Sequence, residues 1–316
     1  MGLGFAARRL AMLLATLLVA SFAIYASVFL APGDPLSTLA GGRTLPPHAE
    51  AILRARYHLD EPLLAQYWHW LSATLGGDLG ESIPLHQSVS AIIGQRAPVT
   101  LELVGYASLL ILLFGIGGGL LAGLRRGWVD MSVVAGTTAL VAIPSFLAAV
   151  ALISVFAVHL GWFPALGAGN GPLDRLWHLT LPAFALALSA LGIVARVTRV
   201  SVREELGRDH VETAVSRGLP RHLIVRRHVL RNAAIPITAV TGITIASLIA
   251  LSAVVEQAFS LDGLGSTLVE AAASKDLAVV QGISLLLVSA FVITNGAVDL
   301  LHAMLDPRVG EGGERG

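Results

Sequence analysis

Leu179–Arg231 reads LTLPAFALALSALGIVARVTRVSVREELGRDHVETAVSRGLPRHLIVRRHVLR. Its first part, Leu179–Val197, is a nearly unbroken apolar run. The remainder carries nine arginines from Arg196 to Arg231 against Glu204, Glu205, Asp209 and Glu212. Crossing the ~30 Å hydrocarbon layer takes roughly 20 apolar residues in a helix. Basic residues flanking such a run are retained on the cytoplasmic side. The stretch therefore reads as a membrane span that ends in a cytoplasmic connection.

Working outward, five more apolar runs occupy Leu10–Leu30, Pro98–Leu124, Met131–Val158, Ala233–Val255 and Ala278–Leu305. Together they predict an all-α membrane protein of about six transmembrane helices. Composition agrees: 55% of the 316 residues are hydrophobic and 13% charged, against roughly 45–50% and 25% in soluble domains. The run after Arg8 and Arg9 exceeds the roughly 7–15 apolar residues of a signal peptide and reads as a retained span. Pro144, Pro182 and Pro236 lie in or near the starts of their runs and predict kinks or entry points, which membrane helices tolerate when neighbours satisfy the freed backbone groups.

Orientation follows from the basic residues. With a cytoplasmic N-terminus, Arg43, Arg54, Arg56, Arg96, Arg175 and Lys275 fall outside and the other 15 of the 21 fall inside. The reverse topology would invert that split. Both termini are accordingly expected in the cytoplasm of a multi-pass plasma- or inner-membrane protein, with lipid as its surroundings.

The expected layout is a first span within 1–30, an external segment at 31–97, a five-helix core at 98–305 and a cytoplasmic tail at 306–316. The external segment should fold as a small cap. Pro47–Tyr57 reads as a short helix, and Leu63, Tyr67, Trp70, Leu71 and Leu75 recur at helical spacing after Asp60-Glu61-Pro62. The Gly-rich tail after Arg308 reads as frayed.

Within the cytoplasmic loop 196–232, Asp209 and Glu212 have the spacing of a helix-capping pair. Gly218 followed by Pro220 supplies a left-handed stop and a residue that cannot continue the helix. A helix of about two turns, roughly 12 Å long, is predicted at the membrane surface, suited to dock into a groove.

Several chemistries are excluded. No cysteine is present, which removes disulfides, thiolate metal sites and cysteine nucleophiles. A net charge of zero does not point to nucleic acid. The single lysine, Lys275, follows Ala273-Ser274 with no glycine-rich turn before it, so no phosphate-binding loop is built around it. Ser284 and His302 stand eighteen residues apart on one run, about 27 Å along a helix, too far for a nucleophile and its base; no catalytic residues are assigned. The ten histidines, among them His58 and His69, lack the spacing of a compact metal site. Glu102, Glu256 and Asp299 sit at or inside apolar runs, where ionisable groups face a pathway, a partner or interfacial water. Gly115, Gly117, Gly118 and Gly119 give the second span a small-residue packing surface.

Glu212-Thr213-Ala214 followed by Gly218 resembles the EAA-loop motif of ABC import permeases. The chain is also similar, along nearly its whole length, to B-type permeases of the dipeptide/oligopeptide/nickel family. Matching pieces include Ala31-Pro32-Gly33-Asp34-Pro35, Leu59-Asp60-Glu61-Pro62, Gly77-Asp78-Leu79-Gly80, Thr100-Leu101-Glu102-Leu103, Val255-Glu256, Gly263-Leu264-Gly265 and Asp306-Pro307-Arg308. One departure is His228-Val229-Leu230-Arg231, where the general motif has Ile-x-Leu-Pro; Pro236 comes five residues later.

The resemblance implies a type I ABC importer permease fold. It implies that Glu212, Thr213, Ala214, Arg217, Gly218 and Leu219 form the coupling helix that inserts into a cytoplasmic ATPase, with the small Ala214 permitting close approach. The implied partners are a second related permease, two cytoplasmic ABC ATPases and an extracytoplasmic substrate-binding protein. ATP and Mg would be held by the ATPases, and no cofactor by this chain. The implied cargo is di- or oligopeptides, with nickel complexes, glutathione or haem-like cargo as alternatives. An ion-driven secondary transporter is the rival class, and the two halves do not show the mirrored repeats common there.

Overall fold

The computed structural model describes residues 3–30, 46–48, 51, 54 and 60–305. In chain order, α1 (Leu3–Leu30) is followed by α2 (Leu63–Leu75), the hairpin strands β1 (Glu81–Ser82) and β2 (Gln87–Ser88), and α3 (Val89–Leu124). Next come α4 (Trp128–Ala142), α5 (Ser145–His159), α6 (Pro172–Leu206) and the short α7 (Asp209–Ser216). Then follow α8 (Arg221–Ala258), α9 (Leu264–Ala273) and α10 (Leu277–Leu305). Of the predicted helix Pro47–Tyr57, only Pro47, His48, Ala51 and Arg54 are described, each helical; its remainder and the tail after Leu305 lie outside the described residues.

Helices α1, α3, α6, α8 and α10 are each long and apolar enough to cross a bilayer. The sixth predicted span is not one helix. Helices α4 and α5 together make it, and they meet at 102°. The break falls where proline excludes its predecessor from helical backbone: Ile143 is extended at φ −89, ψ 117, ahead of Pro144. By contrast, Pro182 and Pro236 lie inside continuous α6 and α8. The bent pair still follows α6 along its length. Val141 of α4 presses on Gly192, while Phe163, just past α5, stacks on Trp177 with ring centroids 4.4 Å apart.

Helix α6 is the centre of the bundle. Of its most apolar window 67% is buried, against 11% for α1, which lies at the periphery. The main core joins α6 to α3, α5 and α8 through residues such as Leu103, Ile111, Leu186, Val194 and Leu248. Small residues let the backbones of α3 and α6 approach: a Cβ on Gly119 would lie 2.5 Å from the Ala195 carbonyl oxygen, and one on Gly123 would lie 2.8 Å from Val202 Cγ1. The packing stripe is therefore Gly115, Gly119 and Gly123, one turn apart. Gly117 and Gly118, also predicted for it, face open space.

At the end of the bundle opposite the arginines, α2 lies across α1. Tyr67 and Gln66 are its buried residues; the Tyr67 hydroxyl shares a 2.8 Å hydrogen bond with Ser21, and Tyr25 donates to Gln66 Oε1 at 3.3 Å. Leu63 and Leu75, which recur at the same helical spacing as Tyr67, are exposed. The hairpin is tied to the start of α10 by a hydrogen bond from Ser82 Oγ to the buried Asp276 carboxylate.

Candidate functional site

The arginine-rich ends of the spans converge. Arg203 of α6 donates to the carbonyls of Ala122 and Arg125 at 3.2 Å each, and Arg221 donates to the Leu124 carbonyl at 3.3 Å. Asp130, at the start of α4, is gripped by Arg199 in a two-pronged pair and by Arg203 at 2.8 Å. These contacts brace the ends of α3, α4 and α6 into a platform, and α7 packs beside it, chiefly against the first turns of α8.

Helix α7 is amphipathic over its eight residues. Val211 and Ala214 point inward, into a small core with Val202, Ile224, Val229, Ala233 and Ile237. Glu212, Thr213, Val215, Ser216, Arg217, Gly218 and Leu219 are exposed. Of the six residues that the resemblance singles out, five thus share an outer surface, while the Ala214 side chain packs against its own chain. The end of α7 is as its sequence predicts. Gly218 has φ +72, its amide donates to the Val215 carbonyl at 2.9 Å, and the Leu219 amide donates to the Ala214 carbonyl at 3.3 Å. That pair of bonds is the Schellman arrangement.

The start differs from expectation. Arg208 is the cap residue, with no side-chain capping bond, and Asp209 and Glu212 both lie inside the first turn. There their charges favour the positive end of the helix dipole without closing a capping box. The chain turns into α7 around Glu205, a mostly buried carboxylate at the end of α6. Arg208 lies 3.1 Å from its Oε1, and Asn232 Nδ2 donates to Oε2 at 3.3 Å. The hub ties α6, the loop and α8 together. Neither Glu205 nor Asp130 stands out in the sequence, because Asn232 is 27 residues from Glu205 and Arg199 is 69 residues from Asp130 along the chain.

Each of the three intramembrane acids has a partner within the chain. Glu102 pairs with Arg175 at 2.8 Å, and Asp299 pairs with Arg9, linking α10 to α1. Glu256 is wholly buried between α3, α8 and α9. His69 stands 3.1 Å from Glu61; His58 is outside the described residues. Among the described residues, no three His, Cys, Asp or Glu side chains are grouped to hold a metal ion.

A helical membrane bundle that carries a braced, outward-facing two-turn helix at one end has the architecture of an importer's membrane subunit. The comparisons specify which. Residues 115–311 match the family of binding-protein-dependent transport system inner membrane components, and residues 2–104 match the corresponding N-terminal family. A chain of Brucella suis biovar 1 (strain 1330) named as a peptide transport system permease protein is 38% identical over 306 residues, covering 96% of this chain and 97% of that one. The glutathione transport system permease protein GsiC of Escherichia coli (strain K12) is 33% identical over 312 residues, covering 97% and 99%. Among solved structures, the inward-facing MetNI methionine ABC transporter aligns with TM-score 0.56 at 19% identity, over 71% of this chain and 99% of that one. The chain belongs to the binding-protein-dependent inner-membrane permeases, in the peptide/oligopeptide branch of the ABC transporters, and has the type I importer fold. It is a multi-pass inner-membrane permease rather than a catalytic subunit, and its family works with an ATPase and a substrate-binding protein.

Proposed function

We propose that this permease moves di- or oligopeptides inward and that α7 is the coupling helix, seated in a groove of a cytoplasmic ATPase. A second, related permease would complete the pathway, and two ATPases holding ATP and Mg would drive alternation between outward and inward opening. Both termini then lie in the cytoplasm, the orientation that the distribution of arginine favours. The cap containing α2 and the hairpin faces the binding protein.

The observation that carries the reading is the two-sidedness of α7. Val211 and Ala214 fix it to the platform while Glu212, Arg217 and Leu219 stay free. A helix held in this way transmits a push instead of yielding to it. Peptide cargo is favoured by the relatives' names, since glutathione is itself a modified tripeptide.

The test is purification of the tagged chain from native membranes, with identification of co-purifying proteins, repeated for Glu212→Arg/Leu219→Asp. Recovery of an ATPase that is lost in the variant, with the permease still folded, supports the coupling role. A folded chain that holds no ATPase, yet moves peptide with an ion gradient, overturns it. Cargo is tested separately, by competition among dipeptides, longer peptides and glutathione for uptake into proteoliposomes.

A further inference from the structure

Beside α7, the first turns of α8 border an open recess of about 780 Å³ lined by Arg226, Arg227, His228, Arg231 and Asn232. We propose that this recess binds a phosphate-bearing anion, supplied by the headgroup of an anionic membrane lipid.

Three guanidinium groups surround it without internal partners. Five other arginines at this end are engaged: Arg199 and Arg203 with Asp130, Arg208 with Glu205, Arg221 with a carbonyl and Arg196 with Thr138. Among the described residues, no carboxylate, hydroxyl or carbonyl pairs with Arg226, Arg227 or Arg231. Local backbone gathers them. From Val225 to Val229 the helix widens to a π-turn, and Arg226, Arg227 and Arg231 all border the recess from this start of α8.

The surroundings leave the positive potential largely uncancelled. Asn232, on the wall of the recess, donates to Glu205, an acid already matched by Arg208 at 3.1 Å, with His210 at 3.6 Å. Depth selects the source of the anion. The apolar run of α8 begins at Ala233, only about 3 Å of helix rise beyond Arg231, which puts the guanidinium groups at headgroup level. Basic pockets between spanning helices at that level suit anionic phospholipids, and planar guanidinium forks match phosphate oxygens. The volume lies within the roughly 300–1,000 Å³ of small-ligand sites, enough for a headgroup with one or two phosphates.

The experiment uses the full chain in its native complex, reconstituted in nanodiscs of phosphatidylcholine alone or with phosphatidylglycerol or cardiolipin. Native mass spectrometry reads the lipids retained, and hydrogen exchange reads amide protection over 225–232. Anionic lipid should be retained and protect the segment. Retention should fall on the order of 100-fold in Arg226→Gln/Arg227→Gln/Arg231→Gln, at about fivefold per basic residue, and only partly in the triple Lys variant. Arg125→Gln/Arg126→Gln, a second exposed basic pair at the same end, should retain lipid as the native chain does. Protection by inorganic phosphate or pyrophosphate in neutral nanodiscs, with no preference for anionic lipid, would keep the anion site and replace its source. Equal retention by native and triple-Gln chains with no protection by either phosphate overturns the proposal. So does a triple-Gln variant that loses its ATPase while its lipids are unchanged, since the recess would then belong to that protein contact.

Discussion

Thr100 of α3 donates its hydroxyl hydrogen to Glu256 Oε1 of α8 at 2.8 Å, and the same hydroxyl oxygen accepts from the Leu264 amide of α9 at 2.8 Å. The Ser266 amide donates to the other carboxyl oxygen at 2.9 Å. A wholly buried acid is thereby held directly by one N-terminal amide of a short helix and by a second through Thr100, at a helix end where negative charge is favoured, and three elements are locked at one point.

Replacement of Glu256 by Leu should therefore destabilise strongly. The Ser266 amide and Thr100 hydroxyl would lose their acceptor, at about 1–3 kcal/mol for each group left unpaired. Glu256→Gln, which keeps an acceptor oxygen, should cost less. Gly263→Ala should resemble the Leu variant, because its Cβ would collide with the Glu256 carboxyl. Thermal unfolding of the purified protein in detergent ranks the three, and an unchanged midpoint for Glu256→Leu would show that the acid does not hold α9.

The α3–α6 contact makes a second contrast. Gly119→Ala places a methyl 2.5 Å from the Ala195 carbonyl oxygen, so the helices must part, at a cost of about 1–3 kcal/mol typical of overpacking. Gly117→Ala, two residues earlier and with nothing within 4 Å, should be neutral or slightly stabilising through its better helix propensity. Equal effects in a thermal melt would place the helix contact elsewhere.

The glycine pair also shows what the sequence conveyed and what it withheld. Six apolar runs were legible because the bilayer imposes a length and a composition on each span, readable one segment at a time. Which glycines touch α6 depends on helix phase, and Gly115, Gly119 and Gly123 could be chosen over Gly117 and Gly118 only once α6 was in place. The break at Pro144 was marked by its proline, yet Pro182 and Pro236 carry the same mark inside unbroken helices. For α7, Gly218 specified the stop locally, whereas the Asp209–Glu212 spacing misplaced the start by one residue, and the inward turn of Ala214 followed from long-range packing. The Asp130 cluster left no local trace at all.

That cluster gives a third prediction. Asp130→Asn removes the charge that Arg199 and Arg203 share and should lower the melting temperature. Arg199→Gln should lower it too, and the double variant should fall by less than the sum of the two, because residues of one network are not independent. Additive effects would mean that the residues do not stabilise α4 through each other.

The two faces of α7 supply the last prediction. Val215 is 59% exposed and, on the proposed reading, meets the ATPase; Ala214, one residue earlier, is buried among Val202, Val229 and Ile237. Val215→Asp alters only the outer surface, so the isolated chain should melt as before while ATPase retention falls and ATP-driven uptake falls with it. Ala214→Leu forces three extra carbons into a filled core and should cost about 1–3 kcal/mol, lowering the melting temperature of the isolated chain first and uptake only as a consequence. Side-by-side melts and ATPase pull-downs separate the two. A Val215→Asp chain that retains its ATPase and its uptake would remove α7 as the coupling element, and the platform of Arg203, Arg221 and Asp130 would then serve only to close the end of the bundle.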